Sequence, residues 1–299
     1  MTSFRPTAEQ SKTVVVKIVK HGNSRFNRKL VGDKTPCISS ILTEKKYMGC
    51  VKIFYDWCKK SGVPFVNIDS DVVGTFLASR VGSCVQKTID GYRQSLALVF
   101  NLEVEYVVST KDSLLVPRAY RTSQIDCLLD VASDELSFAI RLAAAAGLRS
   151  IELDTIALPS EVYEDKREWL TERFEGMGLG SRYVVIGKGG LKRSIHVPND
   201  IAVELEQFRL ALPIKKTQRG VHYIKRYSIV GGHSFSQRFS RLSFSIFGWS
   251  TGGHGLRHTY AQNRIIDLQK IGFTWNDGLK IVSQELGHFS TTNTLTYMR

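Results

Sequence analysis

Apolar residues recur along this chain mostly at helical intervals. Tyr47, Val51, Phe54 and Cys58 stand at i, i+4, i+7 and i+11, one face of a helix. Gly62-Val63-Pro64 ends that helix. Asp69 or Ser70 caps a second helix through Val73, Phe76 and Leu77. A third runs through Val85, Ile89, Tyr92, Leu96 and Val99. The periodicity lapses from Glu105 to Thr122, where Ser109-Thr110-Lys111-Asp112-Ser113 and Pro117-Arg118 read as an exposed linker.

The pattern resumes with Ile125, Leu128 and Leu129. Ser133-Asp134-Glu135 then starts a helix through Leu136, Ile140 and Ala143, which stops at Gly147. Thr155 to Leu158 reads as a short strand, and residues 160–176 as acidic and helix-prone, with Trp169 and Phe174 as packing anchors. Tyr183-Val184-Val185-Ile186 and Ser194 to Val197 are strands joined by the turn Gly187-Lys188-Gly189-Gly190. Asn199 or Asp200 caps a helix with Ile201, Leu205 and Phe208, and Pro213 to Ile229 reads as a basic loop. Phe235, Phe239, Leu242 and Ile246 mark another helix, and Leu256 to Leu268 and Asp277 to Leu286 two more. The fold class is mainly α with a small antiparallel β-sheet. The expected organisation is an N-terminal arm over residues 1–37, a helical module over 38–105, a linker over 106–122 and a larger α+β domain over 123–299.

Composition sets bounds around this picture. A length of 299 residues with 42% hydrophobic and 23% charged side chains fits one to three globular domains. The longest apolar runs, such as Leu142 to Leu148, are too short to span a bilayer, and the N-terminal residues are not a signal peptide. Five cysteines without a C-x-x-C pair read as reduced thiols of a cytosolic protein.

Charge narrows the partner. The net charge is +13, and it is uneven: residues 121–181 carry 6 basic and 12 acidic side chains, residues 182–264 carry 14 and 3. A cationic stretch beside an acidic one points to a one-sided face for a polyanion, of which nucleic acid is the first candidate. Residues 12–34 hold seven Lys/Arg and one acid among Val14, Val15, Val16, Ile18 and Val19, and read as a short β segment followed by a basic arm from His21 to Lys34. On the outer helix faces, Lys45, Lys52, Lys87 and Arg93 are candidate phosphate contacts, with Lys192, Arg238 and Arg241 in the second domain.

The candidate chemistry lies mostly in the last 46 residues, His254 to Arg299. His254-Gly255-Leu256-Arg257-His258-Thr259-Tyr260 is followed by Leu286-Gly287-His288 and Tyr297. Arginine binds phosphate bidentately and keeps its charge, so Arg257, with Arg149 upstream, suits the non-bridging oxygens. His254 and His288 can move protons near neutral pH. Lys188 on its tight turn can reach into a site, with Lys192 as the alternative. Tyr297 is a candidate nucleophile. His254 and His258, at i, i+4, have zinc-ligand spacing, but residue 255 is glycine where a zincin carries glutamate.

The order Gly147-Leu148-Arg149-Ser150-Ile151-Glu152-Leu153, Ile186-Gly187-Lys188-Gly189-Gly190, His254-Gly255-Leu256-Arg257, Leu286-Gly287-His288 and Tyr297 resembles the tyrosine recombinases, the phage-integrase family. The resemblance covers residues 121–299 by motif and the helical module by position only. It implies a core-DNA-binding domain followed by a catalytic domain, holding duplex DNA at a specific recombination site. Arg149 and Arg257 would clamp the scissile phosphate, and Tyr297 would attack it to leave a 3′-phosphotyrosine. Lys188 would act as general acid, His254 and His288 would assist proton transfer, and Glu152 would be a supporting carboxylate. No metal or nucleotide cofactor is implied. A homo-tetramer on DNA is implied, with accessory DNA-bending or directionality proteins as candidate partners. The implied setting is the bacterial cytoplasm and nucleoid, the gene belonging to a phage or mobile element that the enzyme integrates or excises. A chromosome or plasmid resolvase or invertase is the alternative within this chemistry, and a non-catalytic DNA-binding regulator the alternative outside it. Two departures stand out: the interval from Arg149 to Lys188 is long, with residues 160–176 reading as an insertion that is either a simple surface piece, the preferred reading, or a protein contact, and only Met298 and Arg299 follow the tyrosine. Family members often carry a further tail that packs on a neighbouring subunit. Either the chain is truncated or its subunit coupling uses another surface.

Overall fold

The computed structural model describes all residues except 1–4, 21–27, 29–30, 34, 115 and 219–220. The chain forms two compact units, Met1–Leu115 and Val116–Arg299. The division falls inside the stretch expected to be linker. Before it, Ser109 N–H donates to Gln86 Oε1 at 2.7 Å within the first unit. After it, Tyr120 is buried in the second unit, its hydroxyl 3.0 Å from Ser243 Oγ.

The first unit is helical: α1 (Thr7–Val16), α2 (Ile41–Lys60), α3 (Ser70–Ala78) and α4 (Gln86–Phe100). The predicted apolar face of α2 is buried, and Phe54 meets Phe76 of α3 edge-on at 5.1 Å. Asp69 caps α3, accepting from Val72 N–H at 2.9 Å. The expected β segment at residues 12–20 is corrected. Val14 to Val16 close α1, because Thr7, Ser11 and Val15 repeat at helical spacing and bury against α2, outweighing the strand preference of β-branched residues. Most of the basic arm from His21 to Lys34 lies outside the described residues.

The second unit begins with α5 (Thr122–Val131) and α6 (Asp134–Ala145). β1 (Gly180–Ile186) and β2 (Lys192–Pro198) pair antiparallel, with Val185 opposite Arg193. The expected strand at 155–158 reduces to one bridge, Ala157 with Val184. α7 (Asn199–Gln207) leads into β3 (Arg209–Gln218) and β4 (Val221–Tyr227), and α8 (Gly232–Phe247), α9 (His254–Lys270), α10 (Trp275–Glu285) and α11 (Thr291–Leu295) complete the unit. The basic loop expected at 213–229 is therefore a hairpin, and the described residues hold two small antiparallel sheets rather than one. Pro213 and the register shift between Arg209 and Ile214 hide its alternation in the sequence. Lys216 anchors the hairpin from within, 2.8 Å from both carboxylate oxygens of buried Asp154.

Residues 160–176 form turns, not a helix. Their polar groups bond to one another and also outward to β2 and α10. Glu164 accepts from Ser194 N–H at 2.5 Å, and Leu170 N–H donates to Gln284 Oε1 at 2.6 Å. The segment is thus stitched into the domain and is not a loose surface insertion. The core beneath the β1–β2 hairpin gathers Leu142, Leu148, Val185, Ile195, Phe235 and Leu256. A second cluster joins Tyr260, Ile265, Leu279, Val282, Leu286 and Tyr297.

Candidate active site

Four chain segments meet at one cleft. Gly147, at φ 59°, ends α6 and turns the chain so that Arg149 points inward. A Cβ at Gly147 would lie 2.6 Å from the Tyr260 ring, so glycine meets both the left-handed backbone and the close approach. Three residues on, Glu152 is fully buried. Its carboxylate accepts from Arg149 N–H at 2.9 Å, Arg149 Nη1 at 2.8 Å and Arg193 Nη2 at 2.7 Å, and lies 3.5 Å from Arg257 Nη1. Burial alone would raise its pKa; the charges of Arg193, Arg257 and Arg149 outweigh that and hold it well below the usual carboxylate range. A buried carboxylate shared by three guanidiniums sets their spacing.

Arg257, in the first turn of α9, is fully buried. It donates to the carbonyls of Gly147 and Leu286, tying the α6 turn to the end of α10. Burial, then the Arg149 charge, lowers its pKa to about 9, and an anion bound beside it would offset both. His288 follows Gly287 at φ 70° and precedes Phe289 at φ 54°. That conformation costs a non-glycine residue about 1–2 kcal/mol. His288 Nε2 lies 3.3 Å from Arg257 Nη2 and 3.4 Å from the Tyr297 hydroxyl, and its Nδ1 lies 3.4 Å from Thr294 Oγ1. Because a guanidinium only donates, this geometry fits the lone pair on Nε2 and the proton on Nδ1.

Tyr297, almost wholly buried, places its hydroxyl 3.1 Å from His254 Nε2. Its own carbonyl accepts from Gln262 Nε2 of α9 at 2.8 Å. Both histidines are held neutral: burial and then Arg257 lower each from 6.5 to about 3. His258 packs its ring 4.4 Å from the Tyr297 ring. Among the described residues no three His, Cys, Asp or Glu are grouped to hold a metal ion.

Beside these residues opens a cleft of about 180 Å³, lined by Arg149, Lys188, Arg193, His288 and Asn293 among others. Lys188 reaches it from the β1–β2 turn. Lys192, the alternative lysine, does not line it; its backbone pairs with Asp165 instead. The structure thus brings together Arg149, Glu152, Lys188, His254, Arg257, His288 and Tyr297. Of the other candidates, Lys52 pairs with Asp56 at 2.7 Å, Arg238 with Glu135 at 3.1 Å, and Arg93 donates to the Val104 carbonyl at 3.2 Å. Lys45, Lys87 and Arg241 are exposed.

Arg193 escaped the sequence reading. It bridges Glu152 and the Glu285 carbonyl, at 2.7 and 2.6 Å, and is almost fully buried. A signal was present: on β2 it shares a face with Ile195 and Val197, and a cation in a core register needs a buried anion. Removing one partner of such a pair costs about 3–5 kcal/mol, because the other charge stays buried. Asn293 also lines the cleft, and no sequence pattern marks it.

No family model matches the sequence, and no curated protein matches it either. Solved structures do match in fold. The XerH site-specific recombinase, in a post-cleavage complex with palindromic difH substrate, has TM-score 0.59 at 16% identity, covering 99% of this chain and 94% of its own. A lambda integrase dimer bound to a COC′ core site has TM-score 0.55 at 16% identity, covering 91% and 92%. A lambda integrase tetramer bound to a Holliday junction has TM-score 0.52 at 15% identity, covering 90% and 74%. The chain has the tyrosine-recombinase fold, mainly α with small antiparallel sheets.

Proposed function

We propose that this protein is a tyrosine-type site-specific DNA recombinase that integrates or excises a mobile element. The observation that carries the reading is the Tyr297 hydroxyl, 3.1 and 3.4 Å from two neutral histidines, with its ring 5.9 Å from the buried Arg257 guanidinium. The matching fold of recombinases bound to DNA supports the same substrate.

Arg149 and Arg257 bind the non-bridging oxygens of the scissile phosphate, their positions held by Glu152. Tyr297 Oη attacks phosphorus in line and passes its proton toward Nε2 of His254 or His288, whose weak proton affinity the negative charge of the bound phosphate raises. The phosphorus–oxygen bond to the 5′ side breaks, and that oxygen takes a proton from Lys188. The products are a 3′-phosphotyrosine and a free 5′-hydroxyl. The covalent bond conserves the energy needed to rejoin a strand, so attack by a 5′-hydroxyl reverses the step. Strand exchange pairs two sites, and the tetramer of lambda integrase on a junction supports the same assembly for this chain. Among the described residues no helix is long and apolar enough to cross a membrane, and we place the enzyme with the DNA of the cytoplasm, where accessory DNA-bending or directionality proteins would join it.

A pool of nicked duplexes of randomised sequence tests this. Cleavage near the nick releases a short fragment and traps the protein on the DNA. Wild type is expected to form an adduct that survives denaturant, with a common sequence among recovered duplexes, and Tyr297→Phe to form none. A wild-type protein that forms no adduct overturns the reading and leaves a DNA-binding regulator.

A further inference from the structure

His288 stands between two left-handed residues, Gly287 at φ 70° and Phe289 at φ 54°. Together they direct its imidazole toward Arg257 and Tyr297 rather than along α10. Glycine adopts such a backbone freely; phenylalanine does so against its own sterics and must be held. Phe289 is 38% exposed, so the main core does not hold it. Residues 160–176 do. The Trp169 ring lies 4.7 Å from the Phe289 ring, and the Arg167 guanidinium stands 4.8 Å over that ring.

Trp169 is itself fixed. Its indole N–H donates to the Asp165 carbonyl at 2.8 Å, and the Arg173 guanidinium covers it at 4.0 Å. Asp165 N–H donates to the Lys192 carbonyl of β2 while its carboxylate accepts from Lys192 N–H, each at 3.1 Å, and Arg173 forks onto both oxygens of Glu164 at 2.8 Å each. The same segment grips α10 just before the turn: Leu170 N–H donates to Gln284 Oε1 at 2.6 Å, and Gln284 Nε2 donates to the Glu168 carbonyl at 3.1 Å.

We propose that Trp169, clamped over Phe289 by residues 160–176, is a positioning residue that fixes His288 against Arg257 and Tyr297. The proposal rests on the recombinase reading, because the step it serves is the attack by Tyr297. Trp169 touches no reacting atom. Its loss frees Phe289 to relax toward ordinary backbone angles, and the imidazole swings with it.

The test uses the duplex recovered from the randomised pool and the full chain. Trp169→Ala is expected to slow single-turnover adduct formation by about tenfold to a hundredfold, as a misplacement of about 1 Å does. Its affinity for the duplex and its melting temperature should stay close to wild type. Trp169→Phe should restore most of the rate. In a His288→Ala background, Trp169→Ala should add no further loss, because the group it positions is gone. Equal rates for wild type and Trp169→Ala overturn the proposal, and so does a loss that persists in full in the His288→Ala background. Absence of any wild-type adduct overturns the recombinase reading instead.

Discussion

At the scale of single residues, the site is a problem of charge inside a buried volume. Glu152 anchors three arginines, and burial together with Arg257 keeps two histidines neutral. That has a consequence for stability. His254, His258 and His288 titrate near 6.5 in an unfolded chain. In the fold, burial first and nearby arginines second depress them to about 3, about 4 and about 3. Below 6.5 the unfolded state binds protons that the folded state refuses. Stability is therefore fully present above about pH 6.5 and is lost as pH falls through 4 toward 3, by at most about 1.4 kcal/mol per pH unit for each histidine. Thermal melts should show a lower midpoint at about pH 5 than at about pH 7.5; equal midpoints would contradict the neutral assignment. Arg149, Arg257, His254, His288 and Tyr297 were legible as residues because their types and spacing form a pattern in one dimension. Arg193 was not, because nothing in Lys192-Arg193-Ser194 tells which side chain turns inward until β2 is paired with β1.

At the scale of elements, the helices were legible wherever one face alone is buried, as in α2 and α8, since burial on one side imposes a period on the sequence. The β3–β4 hairpin and residues 160–176 were misread because their partners are distant. Lys216 and Lys225 of the hairpin look like solvated charges until Asp154 is placed beneath them, 2.8 and 3.6 Å away. Junctions between elements carry the site. The clearest is Gly147, where α6 ends, Arg149 is aimed and the carbonyl receives Arg257. Gly147→Ala must hold a left-handed backbone and push back the Tyr260 ring. It should cost about 1–3 kcal/mol in urea unfolding and lower adduct formation more than duplex binding. A variant as stable and as active as wild type would show that the turn has slack.

At the scale of the whole molecule, two units with separate cores share one basic chain of net charge +13. If the partner is duplex DNA, phosphate neutralisation should dominate affinity. Binding should then fall by about a thousandfold or more between about 50 and 200 mM salt, with log K linear in log salt. A flat salt response in a filter-binding titration would remove DNA from the reading. The sequence by itself determined the helical class, the order of the motifs and the choice of Tyr297 as the proposed nucleophile, because helix periodicity and motif spacing are local properties. Only the tertiary structure decided that the site is assembled, with the tyrosine hydroxyl against two histidines, and that Arg193 underlies it. The same holds for the acidic stretch at 160–176, which reaches Phe289 beside His288. Apart from His288 with Tyr297, those facts depend on contacts between residues about 40 to 120 positions apart, such as Arg193 with Glu285 and Trp169 with Phe289, which no local pattern encodes.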